Sequence, residues 1–197
     1  GSVAAMLSAV LQRAGYRTGF FTSPHLRVYN ERIQIDGVCI SDADFCALAD
    51  ELRTAAVGID PSEFDLLTAM GLAYFQRRAC DLVILEVGLG GRLDSTNVIP
   101  PPEAAVITGI SLEHTEYLGN TLEKIAMEKA GIIKPGTSVV MQAQTPEAEA
   151  VVHARCAALG CSLQTTVQAV RRSGGLEGQR LDYRDRQDVF LRLSGIY

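Results

Sequence analysis

The chain has 197 residues, of which 47% are hydrophobic and 21% are charged, and its formal net charge is −5. This length and composition are ordinary for a globular domain with one sizeable core. The acidic balance gives no electrostatic reason to expect a nucleic acid or an anionic membrane as partner. No apolar run approaches the roughly 20 residues that a membrane span needs. The first residues also lack the basic segment of a signal peptide.

The chain contains five cysteines without a C-x-x-C pair: Cys39, Cys46, Cys80, Cys156 and Cys161. Their odd number and apolar neighbours indicate reduced, partly buried thiols, which are typical of a cytoplasmic enzyme. The three histidines lie far apart in the sequence, so no zinc site is expected. We therefore predict a cytoplasmic protein, and we expect it to be a monomer.

The first half of the chain predicts three helices, a buried strand and a hairpin. Ser41 followed by Asp44 forms a capping-box pattern, which marks the start of the second helix. Asp36-Gly37 favours a tight hairpin turn. The first predicted element is a helix at 2–14, which Ser2 caps and which has one apolar face formed by Val3, Leu7, Val10 and Leu11. It is followed by a strand at 17–22, a hairpin at 32–40, a helix from Ser41 to about 55, and a helix from near Phe64.

The second half alternates short apolar runs with amphipathic segments. The predicted elements are a fully buried strand at 82–87, a strand at 104–110, a helix at 121–131, a strand at 137–142, a helix at 146–159 and a strand near 162–167. Such alternation predicts an α/β fold with a doubly wound, mainly parallel sheet flanked by helices. Polar and apolar residues alternate between Leu181 and Leu193, so we expect antiparallel strands at the edge of this sheet.

Glu86 ends the apolar run that begins at Leu82, where an unpaired carboxylate would be costly to bury. The carboxyl ends of parallel strands form the ligand crevice of such sheets. A carboxylate there, beside a phosphate loop, commonly holds magnesium. The alternative is a strand end that simply reaches solvent.

Gly88-Leu89-Gly90-Gly91 follows immediately, but it is not a dinucleotide-binding fingerprint. Position 93 is leucine instead of the third glycine, and Pro100-Pro101-Pro102 excludes the helix that should follow. A flexible loop that brings backbone and polar side chains to a ligand fits better, although a simple turn would also explain the glycines.

Lys129 and His114 are the remaining candidates for chemistry. Lys129 shares one face of its helix with Leu122, Ile125, Ala126 and Ile133. A lysine on an inward face usually has a partner or a task, and desolvation lowers the pKa of such an amine. The alternative is a lysine whose stem lies along the edge of the apolar stripe. His114 follows the strand at 104–110, where its imidazole could ligate a metal.

Four stretches, in this order, resemble the folylpolyglutamate synthase/dihydrofolate synthase family, a branch of the Mur ligase superfamily. They are Thr22-Ser23-Pro24-His25-Leu26 with Asn30-Glu31-Arg32-Ile33, then Leu85 to Asn97, then His114 to Gly119, and finally Glu128 to Lys134. The resemblance is close over about residues 1–145 and weak beyond. It implies that residues 1–197 are the central ATP-binding domain of such a ligase.

The resemblance implies that ATP phosphorylates a carboxylate of folate or dihydropteroate, and that the amine of glutamate then attacks the acyl phosphate. It implies that Ser23, Glu86 and His114 bind Mg²⁺ and that Lys129 is carbamylated by carbon dioxide. Because these three metal ligands lie at the carboxyl ends of neighbouring predicted strands, we expect them to converge in the fold. Lys129, His114 and Glu86 are then the catalytic residues. It also implies that Phe64, Asp94 and Ser95 contact the folate, with the ring of Phe64 stacked on the pterin. Phe64 could equally be a core anchor.

The sequence departs from the family pattern in two ways. Glu113 stands where the family usually has aspartate. Of the phosphate loop Gly-Thr-Asn-Gly-Lys-Gly-Ser, only Gly1-Ser2 is present, which we interpret as a remnant that contacts ATP, although residues added in cloning would give the same start. We expect the 197-residue chain alone to be inactive, because the phosphate-loop lysine and a glutamate-binding domain are missing. The alternatives are a Mur-type ligase for another acid and amine, or an inert or purely interacting fragment.

Overall fold

The computed structural model describes residues 1–167 and 169–192. The chain forms two compact units, Gly1–Ile99 and Pro100–Tyr197, each of which has its own sheet and hydrophobic core. Together they give an α/β protein with parallel strands, flanking helices and antiparallel strands toward the C-terminal end, as the sequence predicted.

The first unit is built on a four-stranded sheet in the order β3-β2-β1-β4. The strands are β1 (Thr18–Phe21), β2 (Ile33–Ile35), β3 (Val38–Cys39) and β4 (Leu82–Leu85). β1 and β4 are parallel, whereas β2 is antiparallel to both of its neighbours. The turn between β2 and β3 has φ angles of 51° at Asp36 and 77° at Gly37, which is the left-handed geometry of a tight hairpin turn. The predicted hairpin is therefore confirmed.

Three helices belong to this unit: α1 (Ser2–Arg13), α2 (Asp42–Ala55) and α3 (Glu63–Arg77). Ser41 caps α2 and Ser62 caps α3, each by accepting a hydrogen bond from the backbone N–H three residues later. Apolar side chains from the sheet, from α2 and from α3 are almost completely buried against one another. This core includes Phe21, Ile33, Ile40, Leu48, Leu67, Met70 and Phe75.

Two details predicted for this unit are wrong. Ser2 is the first helical residue of α1 and not its cap, because Gly1 occupies the cap position and no side chain caps the helix. β4 is not fully buried: Val83 is 39% exposed. Its burial is incomplete because β4 pairs only with β1 and forms the edge of the described four-stranded sheet.

The second unit contains a parallel sheet in the order β5-β6-β7. Its strands are β5 (Ala104–Ile107), β6 (Ser138–Gln142) and β7 (Leu163–Thr166), and its helices are α4 (Thr115–Leu118), α5 (Leu122–Ala130) and α6 (Pro146–Leu159). Ile125, Ile133, Met141 and Val152 are completely buried between these elements. The strands and long helices predicted between residues 104 and 167 are thus confirmed.

Beyond β7 the chain forms β8 (Val170–Gly175), β9 (Gly178–Tyr183) and β10 (Arg186–Leu191). These strands are antiparallel, as predicted, but within the described residues they pair with one another and not with the edge of the parallel sheet. The predicted position at the sheet edge is therefore wrong. All six residues of β8 are exposed, so its side chains carry no apolar face that would favour addition to the larger sheet. Leu193, the last residue of the predicted alternation, lies outside the described residues.

Candidate functional site

Thr22 and Glu86 leave the sheet side by side, because β1 and β4 are parallel and Phe21 lies opposite Leu85. The hydroxyl of Thr22 donates a hydrogen bond to Oε2 of Glu86. The backbone N–H of Ser23 lies 3.4 Å from the same oxygen. The structure thus brings Ser23 and Glu86 together at the carboxyl ends of two parallel strands, the position where α/β folds bind ligands.

The carboxylate of Glu86 is only 19% exposed, and the amino nitrogen of Gly1 lies 2.5 Å from its Oε1. Burial raises the pKa of Glu86. The contacts with Gly1, Thr22 and Ser23 lower it by a larger amount, so that the net pKa lies below its usual value. A carboxylate beside two hydroxyl-bearing residues fits Mg²⁺, which binds oxygen ligands and takes one or two carboxylates together with substrate phosphates.

The loop that carries Ser23 is held by Glu31. One carboxylate accepts hydrogen bonds from three successive backbone N–H groups, those of Leu26 at 2.8 Å, Arg27 at 3.0 Å and Val28 at 3.1 Å. These bonds lower the pKa of Glu31. The sequence analysis did not predict this role, although the acceptor and the donors are only three to five residues apart.

The glycine-rich loop after β4 is organised by Asp94. Its Oδ2 accepts from the backbone N–H groups of Gly88 and Leu89, at 3.1 and 2.9 Å. Its Oδ1 accepts from the N–H and the hydroxyl of Thr96. Four donors from the loop itself therefore bind this carboxylate. A carboxylate has about four lone-pair sites, so its capacity to accept hydrogen bonds is used within the loop. The loop has a defined shape built around one side chain.

Ser95 and Phe64 attach the same loop to the start of α3. The Ser95 hydroxyl donates to Oδ1 of Asp65 at 2.6 Å. The ring of Phe64 lies so close to Gly88 that a Cβ atom there would be 2.5 Å from its Cζ. Phe64 also packs edge-on against Phe21, with ring centroids 5.9 Å apart. Phe64 thus contacts both the core and the loop, and its stacking on a pterin stays a prediction.

In the second unit, His114 is exposed and adopts a left-handed backbone with φ of 47°, directly before α4. Lys129 on α5 is partly inward, and its Nζ lies 2.6 Å from Oε1 of Glu113. The side chain of Lys129 is 23% exposed. This exposure is intermediate between that of a buried lysine and that of a lysine at the surface edge of the apolar stripe. Glu113 departs from the family pattern, and the sequence alone did not predict its pairing with Lys129.

Gln144 connects the end of β6 to the segment that follows β5 in the second unit. Its Nε2 donates to the carbonyls of Thr108 and Gln142, at 2.9 and 2.8 Å, and its Oε1 accepts from the N–H of Ile110 at 2.9 Å. The chain from Ile110 leads directly to His114. The amide of Gln144 therefore fixes the origin of the loop that carries this histidine, a role for which the sequence held no signal.

The predicted site residues fall in both units. Gly1, Ser2, Ser23, Phe64, Glu86, Asp94 and Ser95 belong to the first, and His114 and Lys129 belong to the second. The convergence of His114 with Glu86 and Ser23 therefore stays a prediction. Across residues 1–167 and 169–192, no group of three or more His, Cys, Asp or Glu side chains is placed to hold a metal by itself. A metal in the first unit would thus need oxygen ligands from hydroxyls, water or substrate. In the same ranges, no helix is long and apolar enough to cross a membrane.

Comparison with known proteins gives consistent results. Residues 47–183 match the Mur ligase middle domain. Dihydrofolate synthase/folylpolyglutamate synthase of Bacillus subtilis is 45% identical over 159 residues, which are 77% of this chain and 37% of that protein. Folylpolyglutamate synthase of Lacticaseibacillus casei is 38% identical over 213 residues, covering all of this chain and 49% of the relative.

The fold agrees with solved structures as well. An FPGS–AMPPCP–folate complex superposes with a TM-score of 0.88 at 36% identity, over 98% of this chain and 50% of that one. The chain thus spans about half the length, or less, of the relatives that it matches. Because the middle-domain match covers most of the chain and the fold agrees throughout, the chain belongs to the Mur ligase family.

Proposed function

We propose that the protein is an ATP-dependent ligase that adds L-glutamate to folate or dihydropteroate through an acyl phosphate. The observation that carries the proposal is the carboxylate of Glu86 beside Thr22 and Ser23 at the ends of two parallel strands, in a chain of the Mur ligase family. The relatives named for this activity support the choice of substrates.

In the proposed reaction, a carboxylate oxygen of the pterin substrate attacks the γ-phosphorus of ATP, and ADP leaves. The amine of glutamate then attacks the acyl carbon and phosphate leaves, while the amine gives up a proton as the amide forms. Each step moves negative charge, so the protein must mainly position the reactants and stabilise charge.

We propose Ser23, Glu86 and His114 as ligands of Mg²⁺. The metal would neutralise charge on the transferred phosphoryl group and orient it. Gly1 and Ser2, at the start of α1, would lie at the phosphates of ATP, where the N–H groups of a helix N-terminus favour anions. The contact between Gly1 and Glu86 supports this neighbourhood.

Phe64, Asp94 and Ser95 would form the pterin side of the site. Asp94 acts through the backbone of the loop, since its carboxylate oxygens already accept four hydrogen bonds. We propose that the ammonium group of Lys129 first loses a proton, and that the resulting amine attacks carbon dioxide and loses a second proton, so that a carbamate anion replaces the ammonium group. The five cysteines are free, which supports a cytoplasmic location, and we propose that the protein acts as a monomer.

The test is phosphate release by the natural protein that carries this sequence, with ATP, Mg²⁺, glutamate and either folate or dihydropteroate. We expect release only when the pterin acid and glutamate are both present, and loss of at least about 100-fold in turnover in Glu86→Gln, a scale typical for removing a transition-state charge contact. Glu51→Gln is the control, because Glu51 is an exposed partner of Arg77. Release that requires a different acid or amine would support the related-ligase alternative. A protein that binds no ATP would support the interacting-fragment alternative.

A further inference from the structure

The carboxylate of Asp65, at the start of α3, accepts hydrogen bonds from two different segments of the chain. Its Oδ2 accepts from the N–H and hydroxyl of Ser62, at 2.9 and 2.7 Å, and so closes the capping box of the helix. Its Oδ1 accepts from the hydroxyl of Ser95, which is 30 residues away in the sequence and lies in the glycine-rich loop. The second bond is not needed to cap a helix.

Asp44 provides a comparison within the same unit. It occupies the same capping position in α2, where it pairs with Ser41. Its second partner is the guanidinium of Arg78 at 2.7 Å, which is part of no loop proposed for substrate binding. Both aspartates therefore lie three residues after a capping serine and accept from its hydroxyl, but only Asp65 also accepts from the serine N–H and from the glycine-rich loop.

Two adjacent residues of α3 thus attach to the glycine-rich loop. Phe64 fills the space beneath Gly88, where no Cβ atom would fit. Asp65 holds Ser95, which comes directly after Asp94, the side chain that organises the loop from within. A loop fixed at its first glycine and near its far end loses little conformational entropy when a ligand binds, because it is already ordered.

We propose that Asp65 is a positioning residue for the pterin-bearing acid: it touches no substrate, but it holds the glycine-rich loop in the shape that binds the flat ring. This inference rests on the proposed function. The pKa of Asp65 is lowered by the hydrogen bonds from Ser95 and then Ser62, so its carboxylate is ionised and accepts both at neutral pH.

The experiment compares four variants of the natural protein: Asp65→Ala, Ser95→Ala, the double variant, and Asp44→Ala as the matched capping control. For each we would measure kcat, the KM for folate or dihydropteroate, the KM for ATP, and the melting temperature. Hydrogen exchange at the amides of Gly88 and Leu89 reports the order of the loop independently of activity.

We expect Asp65→Ala and Ser95→Ala to raise the KM for the pterin acid about threefold to tenfold, the range for one lost hydrogen bond of about 1 kcal/mol, with the KM for ATP unchanged. The double variant should match the Asp65→Ala variant, because both changes remove the same contact. Loop amides should exchange faster in all three. Asp44→Ala should lower the melting temperature without changing either KM. Ser95→Ala leaves the capping box intact, and because Ser95 is itself proposed to face the pterin, faster exchange of the loop amides in this variant, together with the raised KM, tests the inference if Asp65→Ala folds poorly.

An unchanged pterin KM in Ser95→Ala, or additive effects in the double variant, would overturn the inference while leaving the proposed function standing. Wild-type protein that turns over no pterin acid would instead overturn the proposed function and, with it, the substrate role of Asp65. The exchange measurement separates the two failures, since it shows whether Asp65 orders the loop in either case.

Discussion

Nζ of Lys129 lies 2.6 Å from a carboxylate oxygen of Glu113, the residue that immediately precedes His114. The pair links α5 to the segment that follows β5, and neither side chain is fully buried. A carbamate on Lys129 would place an anion against Glu113, and like charges repel at this distance. Carbamylation would therefore require that Glu113 move away or bind a cation at the same time.

The first prediction concerns Lys129. Lys129→Ala should lower kcat of the natural protein by at least about 100-fold, because it removes the anion proposed to act beside the metal. Bicarbonate or a small carboxylate should partly restore the rate. Lys129→Arg should not be rescued, since it keeps a cation and cannot form the carbamate. The measurement is steady-state phosphate release, with Lys124→Ala, an exposed position on the same helix, as control. Near-normal turnover in Lys129→Ala would show that the lysine is only a helix-surface charge.

The second prediction concerns the space beneath the glycine-rich loop. Gly88→Ala should lower the free energy of unfolding by about 1–3 kcal/mol, because the new methyl group would overlap the ring of Phe64. Denaturant unfolding checks this value. Gly175→Ala is the control: nothing lies within 4 Å of a Cβ atom there, and the change should stay within about 0.5 kcal/mol. Equal stability of the two variants would mean that Phe64 moves aside freely.

The third prediction concerns the pH dependence of the loop that carries Ser23. The pKa of Glu31 is lowered in the folded protein, above all by the hydrogen bond from Leu26. The stabilisation that Glu31 gives to the loop is therefore complete above the unfolded pKa, and it is lost as the pH falls through the folded pKa. Amides of Leu26, Arg27 and Val28 should therefore lose protection in the acid range below the ordinary pKa of a glutamic acid.

Glu31→Gln should show this loss of protection already at neutral pH, because the carboxylate that accepts the three N–H groups is gone. Hydrogen exchange followed by NMR or mass spectrometry measures it. The control is Glu51→Gln: the pKa of Glu51 is also lowered, but by Arg77, so the loop amides should not respond. Protection that is independent of pH in the wild-type protein would contradict the assignment.

The fourth prediction concerns Gln144. Gln144→Ala should destabilise the protein by about 0.5–1.5 kcal/mol, because the partly buried N–H of Ile110 loses its acceptor while water can replace the donor at the two exposed carbonyls. It should also raise the Mg²⁺ concentration needed for half-maximal activity, since the segment leading to His114 loses its anchor. Gln164→Ala, at an exposed position of β7, should do neither. Unaltered stability together with an unaltered Mg²⁺ requirement would refute the anchoring role.

The sequence determined the features that depend on neighbouring residues. The helix start capped by Ser41, the hairpin at Asp36-Gly37 and the helix at residues 146–159 were all predicted and are confirmed. Each is encoded by side chains that act on the backbone within a few positions. The proximity of Ser23 to Glu86 could also be predicted, because the ends of adjacent parallel strands must lie together.

Only the tertiary structure decided which groups meet across the chain. The exposure of β4 and the separate sheet of β8, β9 and β10 depend on which strands pair, and hydrophobic pattern alone does not specify pairing partners. The contact of Asp65 with Ser95 spans 30 residues and that of Gln144 with Ile110 spans 34. Hydrogen bonds are directional and fail beyond about 3.5 Å, so such partners are set by side-chain positions that form only when the fold is complete.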